Sequence, residues 1–262
     1  MKKFRNIGSS LLPGLFLGSL FIVWEIIARK GLVRPNVLPG PTKIIYTLIA
    51  NLPAMTEHLY VTLFESIIGF AIAILFAIII ALSMDGIFVV KKTLNPIIIT
   101  SQTVPIFALA PLFTIWFGYG YLPKIVIVIL ICFFPITISL MEGLGSVDKE
   151  LLDLLRSMGA SKLQIYKMVK IPASLPSFFS GLKISGTYSV IGAVIGEWNG
   201  GKVGLGVYML RVRHSFATDK VFATIILITV LSIGVLKIIQ LLEKRMMPWT
   251  KYSKDENEEE YV

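Results

Sequence analysis

A glycine-rich segment followed by a lysine is the feature of this sequence that most resembles a chemical site. Gly196, four further residues and then Gly201 and Lys202 repeat most of the spacing of a phosphate-binding loop. In such a loop the residue after the lysine supplies a hydroxyl to Mg²⁺, and here that residue is Val203. The segment also follows a long apolar run instead of a strand. We therefore do not expect it to bind a nucleotide.

The two histidines and the single cysteine lack the companions that catalysis or metal binding requires. His58 and His214 stand alone, without the spacing of a zinc site and without an adjacent serine or cysteine nucleophile. Cys132 lies in the apolar run 125–138 and has no second cysteine to pair with. The sequence predicts no enzyme, no metal site and no bound cofactor, and it predicts a small core role for Cys132.

Several polar residues fall inside apolar stretches, where a polar group needs a partner or a purpose. Two of them precede Pro105, which should bend a helix and free a backbone carbonyl. We predict a solute path there, although small hydroxyl residues also serve in helix packing. Glu25, Glu65 and Lys183 are explained equally well by structural pairing. The candidates for the path are Gln102, Thr103, Ser185, Tyr188 and Glu197.

The elements that carry these residues are predicted to be membrane spans. Hydrophobic residues make up 55% of the 262 and charged residues 16%, which excludes an ordinary soluble domain. A helix needs about 20 apolar residues to cross the hydrocarbon. Six segments meet this requirement: Leu11 to Ala28, Val61 to Met84, Thr93 to Phe117, Leu122 to Glu142, Phe178 to Glu197 and Val221 to Leu242.

The predicted fold class is therefore an all-α polytopic membrane protein with six transmembrane helices. Residues 11–253 form the membrane domain, 1–10 a cytoplasmic N-terminus and 254–262 an acidic tail that we expect to be disordered. The segment from Arg29 to Tyr60 contains Pro35, Pro39, Gly40, Pro41 and Pro53, which favour turns and a short surface helix.

Charge predicts the orientation. With both termini in the cytoplasm, fourteen lysines and arginines lie on the cytoplasmic side and nine on the other. The net charge of +9 comes from short clusters between apolar runs, without a continuous basic stripe, so we expect no nucleic-acid partner.

The segment between the fourth and fifth predicted spans is patterned as two short helices. The first is amphipathic and should end at Gly159 in a left-handed cap. Ser161 should cap a second helix that ends at Pro172. We call residues 148–172 the elbow. Such an elbow could lie on the membrane surface, or it could dock into a groove on a soluble partner and transmit that partner's motion.

The elbow resembles that of binding-protein-dependent ABC importer permeases, which carry the pattern E-A-A, three residues, G, nine residues, I-x-L-P. The spacing matches at every step, while Asp replaces Glu and the two alanines are leucines. The matching residues, by this resemblance the ATPase-coupling residues, are Asp153, Leu154, Leu155, Gly159, Val169, Ile171 and Pro172.

Further landmarks resemble the nitrate, sulfonate and taurine group of these permeases, which includes permeases for thiamine-precursor pyrimidines. They are Asn95-Pro96 and the runs 105–112, 116–120 and 204–208. The run 192–198 is more similar to the pyrimidine permeases than to the sulfonate or nitrate ones.

The resemblance implies a type I ABC importer permease in the bacterial plasma membrane. Two copies would pair in the bilayer and two ATPase subunits, holding ATP and Mg²⁺, would dock on the elbows. An extracytoplasmic binding protein or lipoprotein would deliver the substrate. The alternative from another class is a self-sufficient secondary transporter or channel, and a scaffold without transport would leave the elbow spacing unexplained.

Overall fold

The computed structural model describes residues 2–34 and 36–251, with side chains for 12–34 and 36–249. Within these residues the chain is all-α, as predicted, and the acidic tail 254–262 lies outside them. The α-helices are α1 Lys2–Arg29, α2 Pro41–Gly86, α3 Phe88–Ser101, α4 Ile106–Phe117, α5 Leu122–Gly145, α6 Lys149–Ser157, α7 Lys162–Ile165, α8 Ile171–Trp198, α9 Leu205–His214 and α10 Thr218–Met246.

Five segments of the described chain are long and apolar enough to cross a membrane: α1, α2, α5, α8 joined to the short helices before it, and α10. The pair α3 and α4 qualifies as a sixth if it counts as one span. The prediction of six spans agrees with the structure on that count.

The second span is much longer than predicted. α2 runs for 46 residues from Pro41, so the expectation of turns between Arg29 and Tyr60 is wrong from Pro41 onward. Pro41 is tolerated because the first helical residues have no intrahelical partner for an N–H. The early part of α2 is held by packing: Met55, with Leu48 and Leu59 beside it, lies against α9 and α10.

The third predicted span is broken where the sequence places Pro105. α3 and α4 meet at 101°, and Pro105 stands immediately before α4. The predicted bend is therefore confirmed. The break has a physical basis, since proline removes one backbone donor and its ring crowds the preceding turn.

The core forms around α8, which lies between α5, α2 and α10. Residues that bury fully at these contacts include Val128, Cys132 and Phe179. At two positions glycine lets α5 and α8 approach closely. A Cβ at Gly143 would lie 2.9 Å from the Ser174 backbone, and one at Gly196 would lie 2.9 Å from Lys124 Cα. We call the two ends of this bundle the elbow end, where α8 begins, and the α9 end.

The C-terminus of α9 has an unusual cap. The N–H of Ala217 bonds the Val212 carbonyl at 3.1 Å and that of Phe216 bonds the Arg213 carbonyl at 3.0 Å, which is the Schellman pattern. The left-handed position of this cap usually holds glycine, yet here it holds Phe216, with φ 55° and a side chain 80% exposed.

Replacing Phe216 by glycine is expected to raise the free energy of unfolding of the detergent-solubilised permease by about 1 kcal/mol. Glycine removes the left-handed strain, and the exposed ring loses little packing. Thermal unfolding in detergent measures the change. Phe76→Gly, an exposed aromatic within α2, is the control and should lower stability by about 1 kcal/mol. A loss of stability in the Phe216 variant would contradict the strain argument.

Candidate coupling elbow and solute-path residues

The first helix of the elbow has a defined cap at each end. At its start, the Asp148 side chain accepts a hydrogen bond from the Glu150 N–H. At its end, Gly159 has φ +84°, and the N–H groups of Gly159 and Ala160 bond the carbonyls of Arg156 and Leu155, both at 3.0 Å. The predicted left-handed glycine cap is confirmed.

The second helix of the elbow begins as predicted but does not end as predicted. Ser161 and Gln164 form a reciprocal capping box at its start. The chain then passes through one π-helical turn, Tyr166–Lys170, directly into α8. The expectation that Pro172 ends the helix is wrong: Pro172 lies in the first turn of α8, directly after the π-helical turn that shifts the backbone hydrogen bonds.

The elbow exposes large apolar side chains. None of the residues of α6 is buried, and Met158 and Leu163 are 75% and 77% exposed. Of the predicted coupling residues, Asp153, Leu154, Gly159 and Ile171 are exposed, whereas Leu155, Val169 and Pro172 are half-buried. We define the elbow patch as the exposed apolar residues Leu151, Leu154, Met158, Leu163 and Met168. A rigid, exposed apolar patch on a short helix pair is suited to docking.

The predicted solute-path residues do not form one group. Gln102 and Thr103 are exposed at the break between α3 and α4. Tyr188 is exposed on α8, but Ser185 on the same helix is buried and donates to the Cys132 carbonyl at 3.0 Å. Ser185 therefore joins α8 to α5, and Cys132 is a core residue, as predicted.

Glu197 is also buried, with 1% of its surface exposed, and it organises the start of α9. Its carboxylate accepts from the Thr62 hydroxyl at 2.6 Å and from the Gly206 N–H at 2.5 Å. The Leu205 N–H donates to Thr62 Oγ1, and the Gly204 N–H donates to His58 Nδ1, each at 2.9 Å. Side chains of α2 and α8 thus satisfy the free N–H groups of a helix terminus.

This arrangement explains why the glycine-lysine segment is not a phosphate site. The N-terminus of α9, where a phosphate would sit, is already filled by the Glu197 carboxylate. A Cβ at Gly204 would overlap that carboxylate, so glycine is required by the close approach.

A buried ion pair beside Glu197 could not be found from the sequence. Lys124 Nζ lies 2.6 Å from Glu65 Oε1, and the two side chains are 6% and 0% exposed. By sequence, Lys124, at the start of the predicted fourth span, counts among the basic residues of the outer side, and Glu65 lies close to the outer end of the second span. The sequence signal that could have suggested this pair is that the two opposite charges lie near the same predicted membrane face. The pair joins α5 to α2, and among the described residues Glu65 Oε2 has no hydrogen-bond partner.

Lys183 and Glu25, the other two charged residues predicted to lie in apolar runs, also have partners. Lys183 Nζ lies 2.7 Å from Glu243 of α10, and Glu25 accepts from Arg29 and from Thr42. The structural interpretation of these residues is therefore confirmed. Within the described residues no group of histidine, cysteine and carboxylate side chains could hold a metal ion.

A cleft of about 290 Å³ opens at the α9 end, next to the buried ion pair. Its lining includes aromatic rings and two lysine side chains: Tyr119, Tyr121, Lys124 and Lys202. The Lys124 ammonium lies 5.5 Å from the centre of the Tyr121 ring. The cleft combines a mostly apolar lining with a few polar groups, which is the usual composition of a small-solute site.

Comparison with known proteins places the chain among importer permeases. Residues 69–248 match the family described as the binding-protein-dependent transport system inner membrane component. The formylaminopyrimidine transport permease protein ThiX of Halalkalibacterium halodurans is 37% identical over 243 residues, covering 92% of this chain and 97% of that protein. The taurine transport system permease protein TauC of Escherichia coli is 30% identical over 240 residues, covering 89% and 87%.

A solved structure supports the fold. The MetNI methionine ABC transporter in its inward-facing conformations matches with a TM-score of 0.55 and 20% identity, over 78% of this chain and 96% of the matched one. The resemblance inferred from the sequence is thus confirmed, and the ATPase of such importers is a separate subunit. The chain belongs to the binding-protein-dependent transport system inner membrane component family and is the membrane-spanning permease of an ATP-driven importer.

Proposed function

We propose that this permease imports a thiamine-precursor pyrimidine and works as a pair of identical subunits, with an ABC ATPase docked on each elbow patch. The observation that carries the coupling role is the elbow itself: two capped helices that present five large apolar side chains to solvent. The ATP and Mg²⁺ bind to the partner ATPase in this proposal.

The proposed orientation puts the elbow end and both chain termini in the cytoplasm. The support is the excess of lysine and arginine in the segments on that side. The α9 end then faces outward, toward an extracytoplasmic binding protein or lipoprotein, and its cleft is the proposed point of solute entry.

The proposed solute path lies between the two copies. In this proposal Gln102, Thr103 and Tyr188 line that path, and their exposure at the break and on α8 supports the assignment. Ser185 and Glu197 would contribute by holding α8 against α5 and α9, because both are buried in contacts within the subunit.

The proposed substrate class rests on similarity to ThiX, which is 37% identical over nearly the full length. The corresponding value for the taurine permease is 30%, and a putative relative for aliphatic sulfonates in Bacillus subtilis is 29% identical. A small organic anion such as a sulfonate is therefore the second candidate.

The test is uptake by proteoliposomes that contain this chain together with the ATPase and binding protein encoded beside it. We expect ATP-dependent uptake of labelled formylaminopyrimidine that excess unlabelled pyrimidine abolishes and excess taurine leaves unchanged. Inhibition of uptake by taurine but not by the unlabelled pyrimidine would indicate a sulfonate as the substrate. Uptake by the permease alone, without ATPase or ATP, would instead indicate a secondary carrier.

A further inference from the structure

The elbow is tied to the end of α2 by a compact ionic contact. Lys170 Nζ lies 2.8 and 2.6 Å from the two carboxylate oxygens of Asp85, and the Tyr166 hydroxyl donates to the same carboxylate. The Asp85 and Lys170 side chains are only 8% and 14% exposed. The Lys170 ammonium also lies 5.1 Å from the centre of the Tyr166 ring. We call these three residues the elbow clamp.

The backbone around the clamp is specialised. Tyr166 and Lys170 are the first and last residues of the π-helical turn, in which the Ile171 N–H bonds the Tyr166 carbonyl. Single π turns of this kind are rare and occur mainly at functional positions. The four-residue spacing of Tyr166 and Lys170 puts both side chains on one face, toward Asp85.

Other parts of the elbow are attached more loosely. All residues of α6 are at least partly exposed, and the ion pair between Asp153 and Arg156 stays within that helix on the surface. In α7, Ile165 is buried. A force applied to the elbow patch therefore passes to the bundle through α8, which continues from the elbow, and through the clamp to α2.

α2 carries that contact to the opposite end of the molecule. Glu65 lies twenty residues before Asp85, roughly 30 Å along the helix. There α2 also contributes His58 and Thr62 to the network that holds the start of α9. One rigid helix thus connects the elbow clamp with the charged network beside the outer cleft.

We propose that Asp85 is a positioning residue that couples movement of the elbow to α2, so that the docked ATPase moves α2 and α8 together. The clamp joins the elbow to α2 through fixed contacts, so that the two can move as one rigid body. This inference rests on the proposed docking of the ATPase at the elbow patch, since that docking supplies the force.

The first experiment measures coupling in the complete transporter in proteoliposomes. We expect Asp85→Asn to keep ATPase co-purification and ATP hydrolysis within about twofold of wild type, while solute uptake per ATP hydrolysed falls at least about tenfold. Asp85→Lys combined with Lys170→Asp should recover a large part of the loss. Glu142→Gln removes an exposed carboxylate at the same end of the bundle and should leave the ratio unchanged.

The second experiment uses the permease alone and does not depend on any ATPase. Hydrogen exchange of the backbone amides of residues 161–170 should accelerate at least about tenfold in Asp85→Asn and return toward wild type in the double exchange. Unchanged exchange, or normal uptake per ATP in Asp85→Asn, would overturn the clamp. A wild-type permease that binds no ATPase would instead refute the docking proposal. In that case the hydrogen-exchange rates of residues 161–170 would still decide whether the clamp holds the elbow.

Discussion

Replacing Gly159 by arginine is expected to abolish both ATPase co-purification and ATP-driven uptake. Gly159 has φ +84°, a conformation that costs a residue with a side chain about 1–2 kcal/mol. No atom of the described part of the chain lies within 4 Å of a Cβ at this position, so the subunit itself has room for the new side chain. The loss would therefore come from a charged, bulky group beside the elbow patch and from the strained cap, and not from a clash inside the permease.

Two companion variants separate these causes. Gly159→Ala introduces the strain without bulk or charge, and we expect it to weaken ATPase binding by about tenfold or less. Gly31→Arg is the matched control, because Gly31 also has a positive φ of 67° and no described atom within 4 Å of a Cβ, but it lies beyond α1. Co-purification in detergent measures all three variants. Normal ATPase binding by Gly159→Arg would remove the elbow patch from the docking surface.

Replacing Lys124 by methionine is expected to lower the free energy of unfolding by about 3–5 kcal/mol. The variant leaves the Glu65 carboxylate fully buried and without its counter-charge, and no described residue bonds its Oε2. A buried, uncompensated charge is far more costly than the loss of a surface ion pair. Unfolding of the detergent-solubilised permease by heat or by denaturant measures the change.

The double variant Lys124→Met with Glu65→Leu should recover most of that stability, because the Glu65 charge is removed with its partner and Glu197 keeps its hydrogen bonds to Thr62 and Gly206. Lys43→Met is the control: Lys43 lies 3.9 Å from Asp219 and is largely exposed, so its loss should cost less than about 1 kcal/mol. Equal losses in Lys124→Met and in the double variant would mean that packing, and not charge pairing, explains the effect.

The parts of this protein that the sequence predicted correctly depend on local interactions or on composition. The caps at Gly159 and Ser161 form through hydrogen bonds between residues at most five apart, so the local sequence contains both partners. Hydropathy located the spans because each must match the thickness of the hydrocarbon by itself. The bend at Pro105 follows from the proline ring alone.

The errors at the element boundaries have a common cause. Both errors come from equating proline with the end of a helix: Pro41 and Pro172 lie in first turns, and Pro53 lies within α2. A first-turn proline is favourable and an interior one is costly. Packing of Met55 and its neighbours against α9 and α10 decides that α2 continues through Pro53.

By itself the sequence determined a multi-span α-helical permease with a capped elbow, whereas the tertiary structure alone decided which polar residues meet. Glu65 and Lys124 are 59 residues apart, Thr62 and Glu197 are 135 apart, and Asp85 and Lys170 are 85 apart. Each contact depends on the rotation and the axial register of two helices against each other. Hydropathy constrains neither quantity closely, because a span can rotate or shift by a turn and remain equally apolar, and only side-chain packing between the helices fixes both.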